Sequence, residues 1–133
     1  MGRTTLYRHR VRYFEADQQG VVFNMWYLGY FDEAMTQFLA EGGLAYQAMT
    51  GAGFDVQLVR SEIEWLAPLR WPDEVTVEVS TAALGNTSFT LRFDVGNEKG
   101  TVARGRTVYV VIGTDGSGKR PIPPELSTAL GEV

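Results

Sequence analysis

One acidic side chain, Asp17, is placed where it could do chemistry. It lies in residues 10–27, RVRYFEADQQGVVFNMWY, between a strand-like run and an apolar run that leads into a helix. Gly20 supplies a turn between the two runs. Because the chain has no cysteine and only one histidine, a carboxylate acting as general base or nucleophile is the best candidate for reactive chemistry.

Hydrophobic spacing predicts the elements that position Asp17. Residues 3–14 alternate loosely and predict a strand, and residues 25–41 have the spacing of one long helix. Asn24 is a natural N-cap for this helix, and Gly42-Gly43 is typical of a helix C-terminus. A short helix is predicted over residues 44–49. Asp17 should therefore lie in a loop just ahead of the long helix.

The rest of the chain predicts strands. Residues 54–58 and 63–65 alternate with opposite parity, which predicts a bulge near residues 59–61. Further strands are expected over residues 75–80, 89–95 and 101–112, separated by turn signals at Gly85-Asn86 and Asn97–Gly100. Short turns predict an antiparallel meander of these four strands with the long helix across one face. The fold class is α+β, in a single domain over residues 1–133.

Composition excludes several classes of protein. The net charge of −4 makes nucleic acid an unsuitable partner. The apolar runs reach only four residues, as at residues 109–112, whereas a membrane span needs roughly 20. The first ten residues lack the apolar core of a secretion signal. We therefore expect a cytoplasmic protein with no membrane segment, no disulfide and no metal site.

The motif around Asp17 resembles that of the hotdog-fold acyl-CoA thioesterases. The similarity is greatest to the 4-hydroxybenzoyl-CoA thioesterase group, which includes the thioesterases associated with the Tol-Pal system. Seven residues match the family signature: Arg10, Val11, Asp17, Gly20, Val21, Val22 and Tyr27. Weaker matches occur at Phe31-Asp32, at Gly85–Ser88 and at residues 120–123. Ala16 and Asn24 depart from the family, which usually has threonine or cysteine at the first position and often histidine or an aromatic at the second.

The resemblance implies a fold, an activity and an assembly. It implies a hotdog fold, in which an antiparallel sheet of about five strands wraps around one long central helix. The implied activity is hydrolysis of small aromatic or short-to-medium acyl-CoA thioesters, with coenzyme A as part of the substrate and no separate cofactor. The implied assembly is a homodimer with a continuous sheet, or a homotetramer, with the sites at the dimer interface.

The same resemblance implies roles for individual residues. Asp17 would be the general base or the nucleophile, and backbone N–H groups near the start of the helix, around residues 23–25, would hold the oxyanion. The catalytic group is Asp17, Gly20 and Asn24. The substrate-binding group is Val21, Val22, Phe23, Met25, Trp26 and Tyr27. The CoA-binding group is Asn86, Thr87, Ser88 and Arg120.

Other interpretations of these residues remain open. A single aspartate before a helix is more often a turn or N-cap residue than a catalyst. His9 is interpreted as a surface or packing residue, and Asp32 as a solvent-facing residue or a second acid near the cleft. The alternative functions are a non-catalytic acyl-CoA-binding module, a hotdog hydratase or dehydratase, and an interaction protein whose exposed sheet pairs with a partner.

Overall fold

Five antiparallel strands form one sheet in the order β1-β3-β4-β5-β2 in the computed structural model, which describes residues 2–133. The strands are β1 (Thr4–Arg10), β2 (Phe54–Trp65), β3 (Glu74–Leu84), β4 (Ser88–Asn97) and β5 (Gly100–Gly113). The helices are α1 (Trp26–Glu41), α2 (Tyr46–Gly51) and α3 (Pro124–Leu130). The expected hotdog fold, with a five-stranded sheet and one long helix, is confirmed.

The long helix α1 packs on the inner face of the sheet through its aromatic side chains. Phe31 stacks on Phe93 of β4 with ring centroids 4.3 Å apart. Gly105 of β5 leaves room for that ring, because a Cβ there would lie 2.5 Å from Phe31. Burying a side chain of this size contributes about 1.5–3 kcal/mol. These contacts hold α1, and therefore its N-terminus, in one position over the sheet.

The predicted strand over residues 3–14 is wrong at its C-terminal end. β1 stops at Arg10, and Tyr13–Glu15 form one turn of 3₁₀ helix. Val11 and Glu15 are buried, whereas Tyr13 and Phe14 are exposed. The buried positions are thus four residues apart, which is the spacing of a helical turn rather than the alternation of a strand.

The predicted four-stranded meander is also wrong, because β2 does not pair with β3. β2 pairs with β5 and forms one edge of the sheet, while β1 pairs with β3 and forms the other. Only β3, β4 and β5 follow each other as hairpins. Residues 66–73, which join β2 to β3, are longer than the two to five residues of a usual hairpin loop, so they connect strands that are not neighbours.

Two local predictions are confirmed. The pairing of β2 with β5 skips from Leu58 to Arg60, which leaves Val59 as the extra residue of a bulge. α1 ends at Glu41, and Gly43 has φ of 94°, the left-handed conformation expected after a helix C-terminus. The short helix begins two residues later than expected, at Tyr46.

Within residues 2–133, no helix combines the length and the apolar character required to cross a bilayer.

Candidate active site

Asp17 begins a tight hairpin between the 3₁₀ turn and α1. Its backbone N–H donates to the carbonyl of Val21 (2.8 Å), and the N–H of Gly20 donates to the carbonyl of Asp17 (3.0 Å). An isolated bridge between Ala16 and Val22 continues this pairing. Gly20 has φ of 77°, which glycine adopts without strain. The sequence DQQG therefore forms a turn with aspartate first and glycine last.

The carboxylate of Asp17 is bonded only to its own turn. Oδ1 accepts a hydrogen bond from the N–H of Gln19 (2.8 Å) and a longer one from the N–H of Val21 (3.4 Å). Asp17 is exposed and lines an open cleft of about 580 Å³ whose apolar wall includes Tyr13, Phe14 and Trp71. The turn-residue interpretation is thus confirmed for its side chain, and its second carboxylate oxygen makes no hydrogen bond within residues 2–133.

A second acid, which sequence reasoning missed, is buried immediately behind this loop. Glu15 is 5% exposed and accepts hydrogen bonds from the Tyr30 hydroxyl (2.8 Å) and the Arg12 N–H (2.8 Å). The His9 ring nitrogen Nε2 lies 3.0 Å from the same carboxylate. His9 is thus a packing residue rather than a surface residue. The one available signal was the four-residue spacing of Val11 and Glu15 around two exposed aromatics.

Glu15 is held in its ionised form by these contacts. Burial alone would raise the pKa of its carboxyl, but the hydrogen bonds outweigh burial, and the pKa of Glu15 lies below its ordinary value. The pKa of Tyr30 is raised far above its ordinary value, first by burial and then by its bond to Glu15. The Glu15 carbonyl also accepts the N–H of Phe23 (2.9 Å), so the buried acid joins both sides of the Asp17 hairpin.

The N-terminus of α1 lacks the predicted side-chain cap. Met25 occupies the cap position in a helical conformation (φ −67°, ψ −23°), and no side chain bonds to the first turn. Asn24 instead contributes its carbonyl, which accepts the N–H of Tyr27 (3.3 Å). The reason is that the helical turn already includes Met25, whereas side-chain capping needs an extended residue there.

Two N–H groups at this end of α1 are available. Of the three backbone N–H groups expected to hold an oxyanion, that of Phe23 is occupied by the Glu15 carbonyl. Those of Asn24 and Met25 have no partner in residues 2–133. Free N–H groups at a helix N-terminus carry partial positive charge and favour an anion.

The predicted substrate-binding residues divide into two groups. Val22 and Tyr27 are buried, at 3% and 2% exposure, and Tyr27 packs against Trp65 and Tyr30. They support the site from the core and have almost no surface for a ligand. The other four are accessible at least in part, and they are Val21, Phe23, Met25 and Trp26.

The structure brings the predicted CoA-binding residues together. The carbonyl of Asn86 accepts the N–H of Ile122 (2.9 Å), and that of Thr87 accepts the N–H of Val111 (2.9 Å). Arg120 lies two residues before Ile122, and its guanidinium is 3.5 Å from the Asp115 carboxylate. Ser88 closes the hairpin by accepting the N–H of Gly85 (2.8 Å).

These CoA-binding candidates and Asp17 lie at opposite ends of the sheet in one protomer. The Asp17 hairpin is bridged to Arg70, just before β3 begins. The Asn86–Ser88 turn lies where β3 ends and β4 begins. β4 has 10 residues, so about 30 Å separates the two ends.

A cavity of about 310 Å³ opens between α1, α2, β2 and β5. Its apolar lining is Met35, Leu39, Leu44, Met49, Val56 and Leu58. Asp32 and Tyr109 also line it, and partial burial, then the neighbouring Glu33, raises the pKa of the Asp32 carboxyl. No residue lines both this cavity and the cleft at Asp17. Phe54, the first residue of β2, is 1% exposed and belongs to the core.

No group of three or more histidine, aspartate or glutamate side chains that could hold a metal occurs in residues 2–133.

Comparison with known proteins gives the family. Residues 11–130 match the family model described as the thioesterase-like superfamily. A structure of a hypothetical protein from Aquifex aeolicus superimposes with a TM-score of 0.90 and 31% identity, covering 96% of this chain and 99% of that one. The 1,4-dihydroxy-2-naphthoyl-CoA hydrolase of Thermosynechococcus vestitus is 28% identical over 126 residues, 93% of this chain and 86% of that protein. The acyl-CoA thioester hydrolase YbgC of Escherichia coli is 26% identical over 110 residues, 81% of this chain and 82% of that protein. The chain therefore belongs to the thioesterase-like superfamily, as a hotdog-fold thioester hydrolase.

Proposed function

We propose that this protein hydrolyses acyl-CoA thioesters, with Asp17 as the catalytic residue. The observation that carries the proposal is the position of Asp17, which is exposed and lines an open cleft on a hairpin that leads directly into α1. The two free N–H groups of Asn24 and Met25 lie at the start of the same helix. Gly20 supplies the turn that makes this arrangement possible.

A thioester needs few catalytic groups. Its leaving thiolate has a pKa of roughly 8.5, by analogy with a free thiol, so no strong acid is needed to expel it. Asp17 takes a proton from water as the water oxygen bonds to the carbonyl carbon, and the oxyanion accepts hydrogen bonds from the N–H groups of Asn24 and Met25. Collapse of this intermediate breaks the C–S bond and expels the CoA thiolate, which takes up the proton held by Asp17, so that the products are a carboxylic acid and the thiol of CoA. A covalent route through an anhydride of Asp17 gives the same products.

The separation of Asp17 from the CoA-binding candidates, at opposite ends of the sheet, supports a site that is shared between two subunits. β2 is an edge strand of 12 residues with exposed Leu58, Val59 and Trp65 along it. An unpaired edge with apolar side chains is suited to pairing with another strand. Antiparallel pairing of two copies of β2 about a two-fold axis places the Trp65 end of one beside the Phe54 end of the other.

This pairing would unite groups that one protomer keeps apart. Asp17 lies at the Trp65 end, while the cavity, Asn86–Ser88 and Arg120 lie at the Phe54 end. The site would thus take its acid from one subunit and its acyl cavity and CoA-phosphate contacts from the other. We propose a homodimer, which can associate further into a homotetramer, and light scattering at micromolar concentration should show no monomer.

The cavity volume supports small acyl groups. A cavity of about 310 Å³ matches small aromatic and short-to-medium aliphatic acyl chains rather than long ones. The net charge of −4 and the absence of cysteine agree with a cytoplasmic enzyme that needs no cofactor besides the CoA of its substrate.

A hydratase is the second candidate, because the structure pairs His9 with Glu15. Such an enzyme would use a histidine and an acid on its substrate. The Glu15 carboxylate, however, is 5% exposed and already accepts several hydrogen bonds. We therefore expect no addition of water to a 2-enoyl-CoA, and consumption of the enoyl double bond would favour the hydratase.

The substitution Asp17→Asn tests the proposal. Asparagine keeps the size of the side chain and its turn hydrogen bonds, so folding and CoA binding should persist. Hydrolysis, followed as free thiol, should fall by about 10²–10⁴-fold. Glu78→Gln, on the exposed outer face of β3, is the matched control and should retain activity.

Three results would contradict the proposal. Full turnover by the Asp17→Asn variant would show that another group activates water. Binding of CoA thioesters without hydrolysis by the unmodified protein would favour a non-catalytic binding module, and failure to bind any CoA derivative would favour an interaction protein.

A further inference from the structure

A closed path of hydrogen bonds joins the Asp17 hairpin to the first turns of α1. The Tyr30 hydroxyl donates to the Glu15 carboxylate (2.8 Å), and the Glu15 backbone carbonyl accepts the N–H of Phe23 (2.9 Å). The Phe23 carbonyl in turn accepts the N–H of Trp26 (3.0 Å), the first residue of α1. Tyr30 lies about one turn further along the same helix, so the path begins and ends on α1.

The same bonds fix the direction of the two free N–H groups. In a trans peptide unit the carbonyl and the following N–H point in opposite directions. The Phe23 carbonyl faces the N–H of Trp26, so the N–H of Asn24, in the same peptide unit, points away from the helix. The Asn24 carbonyl accepts the N–H of Tyr27 (3.3 Å), which turns the N–H of Met25 away from the helix as well.

Glu15 connects these N–H groups to Asp17, which follows two residues later in the chain. One side of the hairpin is bonded to the loop before β3, through the Val22 N–H and the Leu69 carbonyl (2.8 Å). The other side is bonded toward α1 through both the carbonyl and the carboxylate of Glu15. The placement of Glu15 therefore sets the distance between the Asp17 carboxylate and the start of α1.

Tyr30 supplies the bond from α1 to the Glu15 carboxylate. Its side chain is buried, and its ring lies against that of His9 with 4.8 Å between centroids. Burial, then the bond to Glu15, raises the pKa of Tyr30 far above its ordinary value, so the hydroxyl remains a donor. The Arg12 N–H (2.8 Å) and His9 Nε2 (3.0 Å) contact the same carboxylate. Loss of the Tyr30 hydroxyl should therefore loosen Glu15 without releasing it.

We propose that Tyr30 is a positioning residue for thioester hydrolysis and that it acts through Glu15. Its hydroxyl holds the Asp17 hairpin at a fixed distance from the free N–H groups at the start of α1. This inference rests on the proposed function, because it takes Asp17 and those N–H groups as the reacting site. A misplacement of about 1 Å can cost about 10²-fold in rate, so a bond that fixes this distance acts on turnover.

The test is Tyr30→Phe, which removes one oxygen and keeps the buried ring. Turnover is measured with acetyl-CoA, hexanoyl-CoA and benzoyl-CoA. We expect kcat to fall roughly tenfold and KM to change by less than about twofold, because the hydroxyl orients the reacting groups and does not bind the substrate.

Thr81→Val is the matched control for a loss of stability. The buried Thr81 hydroxyl donates to the Leu130 carbonyl (2.7 Å) and joins β3 to α3, away from Asp17. Both variants lose one buried hydroxyl bond, so both should unfold at lower denaturant concentration. Only Tyr30→Phe should lower kcat. An equal fall in kcat for the two variants would show that stability alone is responsible and would overturn the positioning role.

A double-mutant cycle tests whether Tyr30 acts through Glu15. When Tyr30→Phe and Glu15→Gln are combined, kcat should fall by less than the product of the two single effects, because both changes weaken one path. A fall equal to that product would show that Tyr30 acts independently of Glu15 and would overturn the proposed path.

Hydrogen exchange separates this proposal from the proposed function. The Phe23 N–H, which is bonded to the Glu15 carbonyl, should exchange faster in Tyr30→Phe than in Thr81→Val. Faster exchange, without hydrolysis of any thioester by the unmodified protein, would retain the link from Tyr30 to the hairpin and overturn the thioesterase. Hydrolysis with equal kcat in the unmodified protein and Tyr30→Phe would overturn the role of Tyr30 and leave the thioesterase intact.

Discussion

Two carboxylates two residues apart, Glu15 and Asp17, have opposite surroundings. Glu15 is 5% exposed and accepts hydrogen bonds from other elements of the fold, including Tyr30 of α1. Asp17 is exposed, and its carboxylate bonds only to the backbone of its own turn. A group held from several sides contributes to stability, whereas a group held only by its own loop is free to meet a substrate. This difference is why we propose a structural role for Glu15 and the chemical role for Asp17.

The largest expected effect on folding comes from Glu15→Gln. This change removes the charge and leaves several donors without a good acceptor, so the free energy of unfolding should fall by about 1–3 kcal/mol. Chemical denaturation measures it, with the exposed Glu33→Gln as the matched control. Asp17→Asn should leave the unfolding free energy nearly unchanged. Equal losses in the two variants would contradict the division between the two acids.

Gly20→Ala should have an intermediate effect. No atom lies within 4 Å of the position of an added Cβ, so the cost comes only from φ of 77° and should be about 1–2 kcal/mol. Hydrolysis should fall as well, because the turn that carries Asp17 is distorted. Gly29→Ala in α1 is the matched control and should stabilise by roughly 1 kcal/mol, since it also meets no atom and has a helical backbone. A neutral Gly20→Ala would show that the turn tolerates another conformation.

The smallest expected effect is the response of stability to acid. Because the pKa of Glu15 is lowered in the folded protein, its contribution is present above the unfolded value of roughly 4.3. That contribution is lost as the pH falls from there through the lower folded pKa. The free energy of unfolding, measured from neutral pH to below about pH 4.3, should decline less steeply for Glu15→Gln than for the unmodified protein. Parallel declines would indicate that other carboxylates dominate.

The sequence predicted local features well and the partners of each strand poorly. The bulge at Val59 and the helix end at Gly43 depend on a few adjacent residues, and both are confirmed. The pairing of β2 with β5 depends on a strand more than 35 residues away, which no local pattern reveals. Glu15 was missed for the same reason, because two of its partners, His9 and Tyr30, lie in β1 and α1.

The sequence by itself determined the turn that carries Asp17 and the helix that follows it. Aspartate and glycine adopt that turn through their own backbone preferences, and the aromatic spacing of α1 makes it a helix with a buried face. Only the tertiary structure decided that Glu15 is buried and bonded to Tyr30, and that the Phe23 N–H is occupied while those of Asn24 and Met25 are free. Burial and hydrogen-bond partners depend on which distant segments meet, and that is settled by packing the whole chain.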